Sequence, residues 1–229
     1  MILDAIGLRH ITQWVVNPHA PLHVIVRDIS LRCERGRWYA LHGVSGSGKS
    51  TILHLLAGFI SPCEGEVLYN DRPLPGYAAD ELRVIRYSGV GVVFQESWLI
   101  NEFSVLENVQ LKGHIANIDP VASQEMALEL LRALGLEGYE NRLPATLSGG
   151  EQHRVAIARG LMGHPQFLLI DEPTAHLDTQ NKKNMMKVLH TLHDRYGLGM
   201  LIATHDPEVA YDADEVWELR DGTLVCVST

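Results

Sequence analysis

An α/β fold follows from three features of the sequence: a glycine loop set between a short apolar run and a helical run, further short apolar runs that end in carboxylates or a histidine, and a long intervening stretch patterned as helix alone. The expected architecture is a mostly parallel central sheet, with an N-terminal antiparallel β subdomain and an inserted helical subdomain. One domain over residues 1–229 accommodates it, with 1–95 and 155–229 forming the core and β subdomain and 96–154 the helical insertion.

The glycine loop is Gly43-Val44-Ser45-Gly46-Ser47-Gly48-Lys49-Ser50, which matches the G-x-x-x-x-G-K-[ST] loop that wraps nucleotide phosphates and places the fold among the P-loop NTPases. Its glycines let consecutive backbone N–H groups turn inward without a Cβ in the way and form a nest for anionic oxygens. The helix that starts near Lys49 adds its positive end, about half an elementary charge. Lys49 supplies a mobile ammonium for the β and γ phosphates, and the Ser50 hydroxyl is short enough to ligate Mg²⁺. Gly43, Ser45, Gly46, Ser47, Gly48, Lys49, Ser50 and Thr51 are therefore the expected phosphate contacts. Trp38-Tyr39-Ala40-Leu41 reads as a buried strand before the loop, and Thr51 to Ala57 as a buried helix stopped by Gly58.

Along the rest of the chain, Ile29, Leu31 and Cys33 alternate with Ser30, Arg32 and Glu34, as in a half-buried antiparallel strand. Glu66 to Asn70 is the expected hairpin partner of that strand, with Asn70-Asp71 in its turn. Gly91 to Phe94 reads as a second short buried strand ending at Gln95. In the helical stretch Ala127, Leu130, Leu131 and Leu134 fall on one face, with Ser123 as the expected N-cap and Gly135 as the stop. Phe167 to Ile170 and Met200 to Ala203 suit central parallel strands. Met185, Val188, Leu189 and Leu192 form a helical stripe between them, and a hairpin turns at Arg220-Asp221-Gly222.

Composition removes several classes. A formal net charge of −9 argues against a general nucleic-acid surface. No apolar run approaches the roughly 20 residues that span a bilayer. Asp4 stands where a signal peptide is apolar, so a soluble, unsecreted chain is expected. Three cysteines, Cys33, Cys63 and Cys226, have no metal-like spacing and read as reduced thiols.

Two further motifs carry chemistry. Asp171-Glu172 places two carboxylates at the end of a buried strand, where open α/β sheets bind ligands; Asp171 is the expected Mg²⁺ ligand and Glu172 the base for the water that attacks the γ phosphate. Leu147-Ser148-Gly149-Gly150-Glu151-Gln152 precedes a helical run and makes a second anion-binding helix end. One chain with two such ends and one nucleotide loop suggests a head-to-tail dimer that sandwiches each nucleotide.

With these motifs in this order, the chain resembles the nucleotide-binding subunits of ATP-binding-cassette (ABC) transporters over essentially its whole length, the Leu147 to Gln152 run being similar to the family's signature. The resemblance implies ATP and Mg²⁺ as cofactors, ATP hydrolysis, a homodimer or pseudo-dimer, and separate transmembrane permease subunits at the cytoplasmic face of the inner membrane. It implies that Gln95 contacts Mg²⁺ and couples the site to the membrane subunit, that His205 contacts the γ phosphate, and that Asp178 lies in the loop through which subunits communicate, where His176 departs from the small or amide residue commoner in the family. Ser148, Gly149 and Gly150 are the implied contacts to the partner's nucleotide. Trp14 is the candidate for stacking on adenine, with packing against the antiparallel sheet as the alternative. Val93-Phe94-Gln95 and Ser104 to Val109 are similar to the lipoprotein-release and macrolide-export group. Competing readings are a cassette ATPase of translation or DNA repair, which carries two cassettes or a very long coiled coil, and a nucleotide-gated regulator.

Overall fold

The computed structural model describes residues 2–15, 22–175 and 177–227. The chain opens with β1 (Ala5–Val15) and β2 (His23–Glu34), then enters the central sheet at β3 (Trp38–His42) and leaves it through the glycine loop into α1 (Lys49–Leu56). A return to the first sheet gives β4 (Glu64–Tyr69) and β5 (Arg72–Pro73), followed by α2 (Ala79–Ser88) and β6 (Val90–Val93). Three helices follow, α3 (Val105–Ile115), α4 (Pro120–Ala133) and α5 (Gly149–Leu161). The chain then alternates through β7 (Phe167–Asp171), α6 (Thr179–Tyr196), β8 (Gly199–Thr204) and the short α7 (Pro207–Ala210), and ends in β9 (Glu215–Arg220) and β10 (Thr223–Val227).

The first sheet is antiparallel in the order β2-β1-β4-β5, and the second runs β10-β9-β3-β8-β7-β6 with only the β9-β10 hairpin antiparallel. Alternation in β2 holds as read: Ile29, Leu31 and Cys33 are buried, while Ser30, Arg32 and Glu34 face out. Its partner differs from expectation. β4 pairs with β1, at Leu8↔Val67 and Ile6↔Tyr69, and β1 lies between β4 and β2. Asn70 and Asp71, both at positive φ, instead turn the chain from β4 into β5, where Tyr69 pairs with Arg72.

The start of α4 also differs. Asp119 is the N-cap, accepting a 3.0 Å bond from the Ala122 N–H, because Pro120 fits the first helical position and costs no hydrogen bond there. Ser123 lies one turn further in, buried. Ala127, Leu130, Leu131 and Leu134 do face the core, against Val105 and Val109 of α3 and Val155 of α5, and Gly135 stops the helix at positive φ.

What matters for the site is the direction of the parallel strands. β3, β6, β7 and β8 run the same way, and every residue of β7 and β8 is buried. Their carboxyl ends deliver, at one edge, the glycine loop after His42, Gln95 two residues past Val93, Asp171 and Glu172, and His205 after Thr204. Open α/β sheets bind ligands at that edge. Tyr39 is 1% exposed and stacks on Trp217 at 5.0 Å, which fixes β3 against β9 and keeps it out of the site.

Candidate active site

The site begins at the junction of the glycine loop with α1. Gly48 caps the helix at φ 105°, a left-handed conformation strained for any residue with a Cβ, and a Cβ there would also stand 2.7 Å from the Ile25 side chain. With no side chain among the described residues capping the first turn of α1, its N–H groups are left to a ligand. Lys49 is 5% exposed, and its Nζ donates to the carbonyls of Gly43 (2.8 Å) and Val44 (3.0 Å) and lies 3.5 Å from Glu172 Oε1. A phosphate entering the loop competes for that ammonium at short range.

Around this loop the structure forms a cavity of about 300 Å³ lined by Ser45, Gly46, Gly48, Lys49, Ser50 and Thr51, with Gln95, Asp171 and Glu172 opposite and His23 and Ile25 at the remaining wall. Most of the expected phosphate and metal residues therefore meet in one place. Ser47 Oγ is buried beside them without a partner among the described residues.

The two carboxylates have different surroundings. Burial pushes the Asp171 carboxyl up, a hydrogen bond from Ser50 pulls it down, and the Glu172 charge pushes it up again. Its Oδ1 is buried and unpartnered among the described residues. Glu172 sits at φ 48° with its N–H bonded to Ala203 O at 2.9 Å, and both carboxylate oxygens accept from His205 Nδ1 at 2.9 Å. Backbone held in that region costs about 1–3 kcal/mol and is found where function fixes a side chain. Glu172, His205 and Lys49 thus form one chain of contacts across the cavity floor.

Mg²⁺ fits the donors that remain. Ser50 hydroxyl, Asp171 carboxylate and Gln95 amide oxygen line one cavity, and this all-oxygen set suits a hard cation whose coordination is completed by phosphate oxygens and water. Among the described residues no group of three or more His, Cys, Asp and Glu could hold a metal alone.

Five expected contacts lie elsewhere, in three places. Trp14 pairs with Val24 in the β1-β2 register and is not among the described lining residues. Asp178 is the exposed N-cap of α6, where it accepts from the Asn181 N–H at 2.8 Å. Ser148 caps α5 in a reciprocal box with Glu151, whose Oε2 takes bonds from Ser148 N (2.7 Å) and Oγ (2.8 Å). Among the described residues no atom lies within 4 Å of where a Gly149 Cβ would stand, and the nearest to a Gly150 Cβ are at 4.0 Å. Ser148 to Gly150 thus lie outside their own chain's nucleotide cavity. His176 lies outside the described residues.

Other residues near the site carried no sequence signal. His54 of α1 packs edge-on against Phe94, centroids 5.8 Å apart, and Phe94 stacks on Phe59 at 5.9 Å. Beyond them opens a groove of about 420 Å³ that includes exposed Phe59, Trp98 and Ile115 with Arg86, Lys112 and Arg159. Arg159 donates to Ser97 O (2.6 Å) and Trp98 O (2.8 Å), tying α5 to the segment just after Gln95. Burial pushes the Lys112 ammonium down to about 7. His23, like the other histidines without a motif, reads from sequence as solvated or packed, yet it stands on the cavity wall.

The family model for ABC transporters matches residues 26–175, from β2 through the strand that carries both carboxylates. The chain is 38% identical over 200 residues to the lipoprotein-releasing system ATP-binding protein LolD of Idiomarina loihiensis, covering 87% of this chain and 88% of that protein. Among solved structures it superposes on the dimeric structure of MJ0796, a bacterial ABC transporter cassette, with a TM-score of 0.86 at 33% identity and 96% coverage of both chains. A post-hydrolysis dimer of MJ0796 bound to ADP and Pi matches with a TM-score of 0.85, also at 33% identity and 96% coverage of each chain. Taken with a cavity that joins the phosphate loop to the Asp171-Glu172 pair, and with His205 bonded to Glu172, these matches show that the chain belongs to the ABC transporter family, as its ATP-binding, ATP-hydrolysing subunit.

Proposed function

We propose that two copies of this chain close head to tail around two ATP molecules, hydrolyse them, and pass the cycle to separate membrane subunits. The observation that carries this reading is the open N-terminus of α5. Two glycines in the first turn of a helix weaken it relative to alanine, and no packing among the described residues requires them, since space for a Cβ is free at Gly149. Small residues beside unpaired helix N–H groups instead allow a triphosphate held by another copy to approach closely.

Within each site the residues divide the work. Lys49 and the N–H groups of the loop and α1 hold the β and γ phosphates. Mg²⁺, when bound through Ser50, Asp171 and Gln95, supplies charge neutralisation between the phosphates. Glu172 takes the proton of the water that attacks the γ phosphorus while the bond to the bridging oxygen breaks and ADP leaves with that oxygen. His205 holds Glu172 in place through both carboxylate oxygens and contacts the transferred phosphate. Asp178 borders the route between copies, and the groove beyond Gln95, lined by Phe59, Phe94 and Trp98, faces the membrane subunits. The likeness to a lipoprotein-releasing ATPase supports partners of that kind and a position on the cytoplasmic face of the membrane; no helix of the described residues is long and apolar enough to cross one.

The dimer is tested by ATPase rate against protein concentration. Specific activity should rise with concentration and plateau, and light scattering of the Glu172→Gln protein with ATP should give twice the monomer mass. Full specific activity at high dilution refutes the shared site.

A further inference from the structure

We propose that Tyr139 is a positioning residue for the partner's nucleotide, holding Glu151 so that the Ser148 hydroxyl can be given to a phosphate; this rests on the reading of the α5 N-terminus as half of a shared site. In the single copy that hydroxyl is committed. A serine has one O–H to donate, and Ser148 Oγ lies 2.8 Å from Glu151 Oε2, which also takes the Ser148 N–H at 2.7 Å. An ionised phosphate oxygen only accepts, so a docking triphosphate needs that same proton. The O–H then turns away from the carboxylate just as a second anion comes up to it. Glu151 keeps two donors: the Ser148 N–H on Oε2, and the Tyr139 O–H, 2.9 Å from Oε1. The Ser148 bonds and then the Tyr139 bond hold the Glu151 carboxyl below the usual carboxylate range, as donors to an anion do.

Tyr139 is placed to hold still while Ser148 changes partner. It lies between α4 and α5, in a turn closed by the Arg142 N–H on its own carbonyl at 2.9 Å. The start of α3 grips that turn, the Val105 N–H donating to Arg142 O (2.8 Å) and the Leu106 N–H to Glu140 O (3.0 Å). Those are N–H groups that a helix leaves unpaired in its first turn. The Arg142 guanidinium lies 3.9 Å over the Tyr139 ring, a cation–π contact that fixes its plane. The hydroxyl thus reaches Glu151 from outside α5, on a turn bolted to a different helix. Capping alone gives it no task, because the Ser148-Glu151 box closes α5 without a third residue. Its use comes when the box must open to let the Ser148 hydroxyl go.

The ATPase rate of the full chain against its concentration tests the proposal, read as the concentration that gives half the maximal specific rate. Tyr139→Phe keeps the ring and removes only the hydroxyl. It should raise that concentration about tenfold, as for one hydrogen bond to a charged group. ADP, which lacks the γ phosphate and needs only the chain's own loop, should bind within about twofold of wild type in a calorimeter. An effect that acts through Glu151 disappears with its carboxylate, so adding Tyr139→Phe to Glu151→Ala should move the midpoint less than about twofold further. Thermal melts confirm that each variant is folded. No shift in Tyr139→Phe overturns the proposal, and so does an equal shift in both backgrounds, which would make the hydroxyl a stabiliser of the fold alone. If Glu151→Ala is unfolded or inactive, Glu151→Gln takes its place, and its neutral acceptor should cut the shift to about threefold or less. Failure of the underlying reading looks different: the wild-type specific rate would then not depend on concentration at all, and the role of Tyr139 would fall with the shared site.

Discussion

At the scale of single residues, Glu172 and Lys49 make separable predictions because they act on different steps. Glu172→Gln keeps the shape and the contact with His205 but cannot accept the water's proton, so ATP binding should persist while hydrolysis slows by about 10²–10⁴-fold; a wild-type rate would move the base elsewhere. Lys49→Ala removes the buried cation that lies 2.8 Å from Gly43 O and 3.5 Å from Glu172, and calorimetry should show most ATP affinity gone. Lys112 offers a test by pH. Its amine is held down at about 7 by burial, against about 10.4 in an unfolded chain, so between those values the unfolded state binds more protons and stability rises with pH. Below about pH 7 the penalty is complete. Lys112→Met should therefore raise Tm most at about pH 6 and least at about pH 10, and an equal gain at both would show that the amine is not desolvated. The loop, Asp171 and Glu172 were legible as neighbours because their chemistry demands one residue type at one spacing, and they line one cavity. Lys112 was not legible, since a lysine on a helix becomes desolvated only when other elements pack around it.

At the scale of elements, α5 sets its own stability against its proposed task. Ser148 and Glu151 cap it reciprocally, so Ser148→Ala should cost about 1 kcal/mol, seen as a lower Tm. Gly149→Ala should do the reverse in the isolated chain, adding up to about 0.5 kcal/mol by relieving a glycine in the first turn, yet reduce ATPase activity, because the added methyl enters space kept for the partner's nucleotide. Activity at the wild-type level in a stabilised Gly149→Ala protein would show that the space has no occupant. The start of α5 was readable because a serine followed three residues later by glutamate is a local signal. The start of α4 was misread at Ser123 since Asp119-Pro120, a stronger start, lies just before it. The pairing of β4 was misread for a different reason: strand alternation gives a face but not a neighbour, and β1 takes both β2 and β4 as partners. Short buried strands such as β7 and β8 were plain, their apolar runs being buried on both faces.

For the whole molecule, the phosphate loop and the second candidate anion site at Ser148 to Gly150 do not meet within a single copy, since Ser148 to Gly150 are not among the described residues that line the cavity of Lys49. A head-to-tail pair resolves this, and it makes a quantitative claim about mixtures. Lys49→Ala alone and Ser148→Arg alone should each be nearly inactive, because in either homodimer both sites carry one lesion. In a mixed dimer, however, the two lesions fall together in one composite site, made of the loop of the Lys49→Ala copy and the signature of the Ser148→Arg copy, and the other site is intact. Random pairing at equal concentrations makes about half of all dimers mixed, so with independent sites the mixture should recover about a quarter of wild-type ATPase activity per subunit. A light-scattering measurement on the same mixture with ATP shows whether mixed dimers form. Dimers without recovered hydrolysis would mean that the two sites fire only together, whereas wild-type ATPase activity in the Ser148→Arg protein alone would place a complete site within one copy and return Ser148 to Gly150 to the role of a helix cap.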